Sequence, residues 1–301
     1  MRFFRAAALA LALSLPVVPV ANADEATGPF APYEDLLQVL AGLTWHLKDD
    51  LYRFPAPKDP TGYDVFKLSL ARLEAWERRF PSRLPDVTTF ARAEALERLG
   101  EWERATAAYD AVAAHADSAL AARARDEAAR ARAFAAAAAL PEQDPQLDRR
   151  LELLRAKLDA WAAVARDAAG TPRHALALVE EERLEEKAAR LVVAHRHVLD
   201  DGDGAAERSL KFLIRKHAES KRLPSHVLAL GDFYADELRE WVTSHDRPLA
   251  FDAAEFTRRS DRALDAYQKV ARWDGVPEKP DAEGRLAALE AYRDTILERH
   301  R

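Results

Sequence analysis

The chain has 301 residues, with 45 Lys and Arg against 51 Asp and Glu, a net charge of −6 and no cysteine. Without thiols there are no disulfides, zinc–thiolate sites, covalent haem attachment or thiol catalysis. The acidic balance speaks against nucleic acid, whose phosphates are held by clustered Lys and Arg, and against an anionic membrane surface. Ala, Leu, Glu and Arg dominate, glycine is scarce at 10 residues, and β-branched residues are thin, a helix-forming mixture.

Residues 1–23 read as a secretory leader. Arg2 and Arg5 precede an apolar run from Ala6 to about Val20, and Ala21-Asn22-Ala23 places small residues where a signal peptidase cuts, before Asp24. Pro16 and Pro19 interrupt a run already short for a membrane span. With no lipobox thiol, the expectation is a soluble periplasmic or secreted protein.

The first helix is predicted over 32–52, where Leu36, Leu37, Val39, Leu40, Leu43, Trp45 and Leu47 are too dense for a solvated helix. Pro55, Pro57, Pro60 and Gly62 make 53–63 a loop. Helix 64–79 carries Phe66, Leu70, Leu73 and Glu77 at three- and four-residue steps and stops at Phe80-Pro81. Pro85 starts helix 86–99, Gly100 suits the left-handed turn that closes it, and helix 101–115 follows. The Ala- and Arg-rich stretch 118–140 reads as one long helix, because alanine has the highest helix propensity. Residues 141–147, opening on Pro141 and including Pro145, form the predicted linker between an N-terminal region (24–140) and a C-terminal one (148–301). Beyond it, Leu151, Leu154, Leu158, Trp161 and Ala165 share one face. After the break at Gly170-Thr171-Pro172, Leu184, Ala188, Leu191, His195 and Val198 form a similar stripe. Asp200–Gly204 is a turn, and helices near 205–219, 225–243, 251–273 and 281–299 complete an all-α chain.

Two stretches echo each other. Arg83-Leu84-Pro85 leads through Leu99-Gly100-Glu101-Trp102 to Ala105, Tyr109 and Val112, and Arg222-Leu223-Pro224 leads through Leu230-Gly231-Asp232 and Tyr234 to Ala263, Tyr267 and Val270. Such a helix-turn-helix unit stacks on copies of itself because one alone leaves its apolar face bare. These residues resemble tetratricopeptide repeats. Ala93 and Leu96 fall at first-helix packing positions, Gly100 at the turn, Trp102 just after it, and Ala105, Tyr109 and Val112 on the second helix. Arg92 and Asp117 depart from that pattern, and an insertion near 236–255 lengthens the second unit. The stretch from Lys211 to Tyr234 is similar to repeat proteins of the bacterial envelope. The resemblance implies an irregular right-handed α-solenoid with long helices, acting as a non-enzymatic scaffold or adaptor for another envelope protein. It places partner contacts at Phe90, Glu94 and Glu97 in the first unit and at Leu228, Asp232 and Ala235 in the second.

Other chemistry is weakly signalled. His195 and His197 lie near Asp200, Asp201 and Asp203, but a His-x-His pair on a helix points to roughly opposite faces, so His195 reads as a core or partly buried histidine. Asp200–Gly204 lacks the spaced oxygens and closing Glu of a calcium loop. The acidic run Glu180-Glu181-Glu182, Glu185, Glu186, with Arg183, Lys187 and Arg190 at helical spacing, reads as a solvated face. Trp102 and Trp161 read as core; Trp241 and Trp273 sit near helix ends, where packing outweighs an interface role. No Gly-x-Ser-x-Gly elbow, phosphate loop or His-Glu-x-x-His is present, nor a lysozyme-like Glu-Ser motif with its Gly-rich and aromatic segments, so no cofactor, metal or catalytic residue is expected. A glycan- or small-ligand-binding module and, behind it, a peptidoglycan-acting helical enzyme are the alternatives.

Overall fold

The computed structural model describes residues 31–55, 59, 61–247 and 250–300. The leader expected at 1–23, and Pro57 and Pro60 of the expected loop, lie outside them. Among the described residues are eleven α-helices and no strand: α1 (Ala31–His46), α2 (Asp64–Arg79), α3 (Pro85–Arg98), α4 (Trp102–Ala113), α5 (Ala121–Ala139), α6 (Leu147–Asp167), α7 (Arg173–Ala194), α8 (Gly202–Lys216), α9 (Leu223–His245), α10 (Ala253–Ala271) and α11 (Lys279–Arg299), with a single 3-10 turn at Arg196–Val198. Each helix packs on the next in the chain, giving an all-α, solenoid-like stack. No helix among the described residues is long and apolar enough to cross a membrane.

The core follows the chain as four linked clusters, as expected of an array in which each unit buries its face on its neighbours. Leu36, Leu43, Phe66, Leu73 and Ala91 join α1 to α3, and Phe90, Tyr109 and Ala124 join α3 to α5. Trp102, Phe134, Leu154, Trp161 and Leu184 join α4 to α7, and Ala189, Leu210, Phe233, Tyr267 and Leu289 join α7 to α11. Residues 141–147 therefore connect two halves whose apolar side chains meet: Phe134 and Ala137 before them pack with Leu154 and Trp161 after them.

Small residues set the helix spacing. Ala121, Ala124, Ala128, Ala131 and Ala137 form a buried stripe on α5, so the low-complexity stretch packs as well as winds. At the end of α3 the Glu101 amide donates to the Leu96 carbonyl (3.0 Å) and the Gly100 amide to Glu97 (3.0 Å), with Gly100 at φ +75°. This closes the helix in the left-handed turn that glycine accepts without strain. In the second echoed unit, a Cβ on Gly231 would lie 2.6 Å from Tyr267 Cε1 and 3.2 Å from Ala266 Cβ. Gly231→Val should force α9 and α10 apart at a cost of about 1–3 kcal/mol, read as a lower urea midpoint; a midpoint equal to wild type would show that the seam is loose.

Several expectations are corrected. The first helix ends at His46 rather than 52, because Asp50 Oδ1 accepts from the amides of Tyr52 and Arg53 (both 3.1 Å) and turns the chain. Density of apolar residues did not bury that helix all round: Leu37 is 62% and Trp45 74% exposed. The stripe assigned to His195 and Val198 stops at Ala194. His195 caps the helix and donates from Nδ1 to the Leu191 carbonyl (2.9 Å), and Val198 faces solvent. Helix α8 begins at Gly202, inside the expected turn, and α9 runs on to His245, so much of the 236–255 insertion is helix rather than connection.

Candidate functional site

Four of the six expected groove positions, Phe90, Glu97, Leu228 and Ala235, are buried, and Glu94 and Asp232 are half-buried. Phe90 packs edge-on against Tyr109 with ring centroids 5.2 Å apart, Leu228 and Ala235 belong to the α9 core, and Glu97 is 3% exposed. For Glu97 the cause is charge pairing between helices. Arg173, at the start of α7, donates to Glu97 (2.7 and 3.0 Å) and pairs with Glu127 of α5 (2.8 Å), while Arg123 of α5 pairs with Glu94 (2.8 Å) and lies over the Phe90 ring. Burial raises the Glu94 carboxyl to about 7, and burial likewise pushes Glu97 up. Burial lowers Arg98 to about 10, where it donates to the Leu47 carbonyl and anchors the end of α1. Asp232 remains accessible at its rim, accepting from Tyr267 Oη (2.8 Å) and pairing with Arg285. Phe90 on α3 and Leu228 and Ala235 on α9 fall in different core clusters.

The acidic run is also corrected: it is an internal seam, with Glu181, Glu182 and Glu186 buried. Lys216 at the end of α8 pairs with Glu181 (2.6 Å) and Glu185 (2.5 Å), His217 Nε2 meets Glu185 (2.9 Å), His226 Nε2 meets Glu182 (2.7 Å), and Arg222 meets Glu186 (2.6 Å). A row of basic groups at the α8–α9 corner thus neutralises one face of α7, so this acidic surface faces the protein itself. Glu142 is held in the same manner. Burial pushes its carboxyl up, but hydrogen bonds from Arg183, Lys187 and Lys157 outweigh this and keep it at about 2.

The chain between α1 and α2 reaches this corner. The Lys221 amide donates to the Tyr52 carbonyl (3.0 Å), Tyr52 Oη bonds His217 Nδ1 (2.8 Å), and Arg53 pairs with Glu219 (2.7 Å). Beside that crossing lies a cleft of about 540 Å³ lined by His46, Asp49, Asp50, Leu51, Phe54, Pro55, Asp59, Gly62, Asp64 and Val65. Leu51, Phe54, Pro55 and Val65 supply apolar walls, and Phe54 is 67% exposed. Asp49 is bonded to His46 (2.8 Å) and Asp64 to Lys67 (3.2 Å). Asp59 accepts from the Thr61 hydroxyl (2.6 Å) and from the amides of Thr61 and Asp64 (both 2.9 Å), and these bonds, led by the hydroxyl, lower it to about 2. The rim is therefore a set of fixed carboxylates above an apolar wall. Sequence reasoning set this stretch aside as a proline-broken connection; its signal was the run of Asp49, Asp50, Asp59 and Asp64 interleaved with Leu51 and Phe54.

Among the described residues no three His, Asp or Glu side chains converge to hold a metal; His197 meets only Glu240, at 3.5 Å. Trp102 and Trp161 are buried, whereas Trp241 stacks on His245 (centroids 4.5 Å apart) and, like Trp273, is half-buried. The chain matches no protein-family model and no curated protein.

Proposed function

We propose that this protein is a tetratricopeptide-like, non-enzymatic adaptor of the bacterial envelope, delivered by the leader at 1–23, that binds a basic, apolar-anchored segment of another envelope protein. The observation that carries the reading is the cleft beside α1 and α2, where an apolar wall is rimmed by four aspartates. An apolar side chain of the partner fills the wall, and flanking Lys or Arg side chains meet the rim; buried apolar anchors supply most of the affinity and charges guide orientation. The charged groups along the helix seams point the same way, since Arg173 is paired with Glu97 and Glu127, and Glu181 and Glu182 of α7 with Lys216 and His226.

The test is fluorescence anisotropy with a labelled Lys- and Arg-rich peptide carrying a central Phe or Leu. Phe54→Ser should weaken binding about 30-fold, the scale of losing one anchor. Asp64→Lys should weaken it about 3- to 10-fold, with the difference fading in high salt. Both residues are exposed, so the fold survives. Equal affinity for both variants and wild type would remove the cleft from consideration. One observation favours a second reading, a glycan- or small-ligand-binding module: an exposed aromatic lines a cleft whose volume lies in the range of small-ligand sites. Displacement of the peptide by neutral oligosaccharides, insensitive to salt, would decide for it.

A further inference from the structure

The two ends of the array are finished differently. The outward face of α11 presents Glu283, Ala287, Glu290, Ala291, Asp294 and Glu298, all exposed, which is the polar finish a terminal helix needs in water. Helix α1 instead mixes exposed Glu34, Asp35, Gln38 and Thr44 with large apolar side chains. Leu36 and Leu43 face the core, and at 100° per residue Tyr33, Leu37, Ala41 and Trp45 form a second stripe on the flank, all exposed. Nothing among the described residues covers this stripe.

Its pattern is self-complementary. Glu34 lies seven residues before Ala41 and Lys48, in the turn that follows the helix, seven residues after it, and both are exposed. With a two-fold axis at Ala41, an antiparallel copy sets Leu37 against the partner's Trp45 and Glu34 against the partner's Lys48, and each contact is made twice. The small Ala41 at the axis lets the helices approach to the short end of the usual 8–10 Å range. Head-to-tail stacking is disfavoured, because it would press this apolar stripe onto the four carboxylates of α11. We infer that α1 is a homodimerisation helix, pairing antiparallel with α1 of a second copy through Leu37, Ala41 and Trp45 and fixed in register by Glu34 and Lys48. The inference stands apart from the cleft, which does not include these residues.

Sedimentation velocity of the chain from Asp24 onward, over 1–100 μM as trial concentrations, tests it. Wild type should form a dimer, and Leu37→Glu and Trp45→Glu should each be monomeric with unchanged circular dichroism. Glu34→Lys and Lys48→Glu should each weaken dimerisation about 3- to 30-fold, two exposed pairs being broken per dimer, and the double variant should restore it. A monomer throughout this range overturns the proposal, as does a dimer indifferent to Leu37→Glu and Trp45→Glu. Failure of the double variant to recover overturns the antiparallel register. A monomer whose tryptophan fluorescence becomes more quenchable by acrylamide once residues 24–30 are deleted, a gain absent in the Trp45→Phe background, would assign the stripe to the chain's own N-terminal residues instead.

Discussion

Arg173→Met should destabilise the protein by about 3–5 kcal/mol, the scale for removing one partner of a buried ion pair and stranding the other. Its guanidinium pairs with Glu97 at 2.7 Å and with Glu127 at 2.8 Å, and both carboxylates are nearly closed to water. The loss should depend on pH with a definite sign. A carboxyl whose folded value is raised contributes stability that is complete below its ordinary value, near 4.5, and is lost as pH rises through the folded value. Burial raises Glu97 and sets neighbouring Glu94 at about 7, and removing the nearby positive charge pushes them further up. The gap between variant and wild type should therefore be small near pH 5 and widen towards pH 8. Glu142 and Glu207, both lowered to about 2, lose stability as pH falls towards that value in both proteins, so they cancel in the comparison. Adding Glu97→Gln to Arg173→Met should recover part of the loss at pH 8 and little at pH 5. Urea denaturation at the two pH values reads this directly, and a gap that does not change with pH would mean the carboxylates are solvated after the arginine is removed.

The helices were legible in the sequence because their signals are local. Asp64–Arg79 coincides with its three- and four-residue apolar steps, and Pro85, Gly100 and Pro224 mark starts and a stop where they are found. The close seam at Gly231 was legible too, since only small residues let two helices touch and the Ala263 and Tyr267 spacing announced it. What stayed hidden depends on which helix meets which. Glu180-Glu181-Glu182 has the composition of a wet face, and nothing within α7 reveals that Lys216, His217 and His226 arrive from α8 and α9 to bury it. Phe90 and Glu97 looked like inner-surface positions of a repeat, yet Arg173, 76 residues beyond Glu97, closes over that surface. Conversely, Leu37 and Trp45 looked like core because helix periodicity counts apolar residues without saying how many faces have neighbours.

Trp161→Ala should cost about 3–5 kcal/mol, as expected for a large aromatic removed from a core that cannot collapse around the gap. The indole is 1% exposed and sits edge-on to Phe134 (5.6 Å, 79°), which in turn packs on Trp102 (4.5 Å). Trp161→Phe should cost far less. Nε1 of Trp161 is buried with no acceptor, so the smaller ring leaves a gap but removes an unsatisfied donor, and the two effects oppose. The variant also tests how the array holds together, because Trp161 follows the proline-bounded connection at 141–147 and its ring partners, on α4 and α5, precede it. If the core is continuous there, Trp161→Ala should speed amide exchange in α4 and α5 as well as in α6 and α7, since coupling in a stacked array passes through neighbouring interfaces. Faster exchange confined to residues after 147 would mean that the halves fold as separate units and that the aromatic contact between them contributes little.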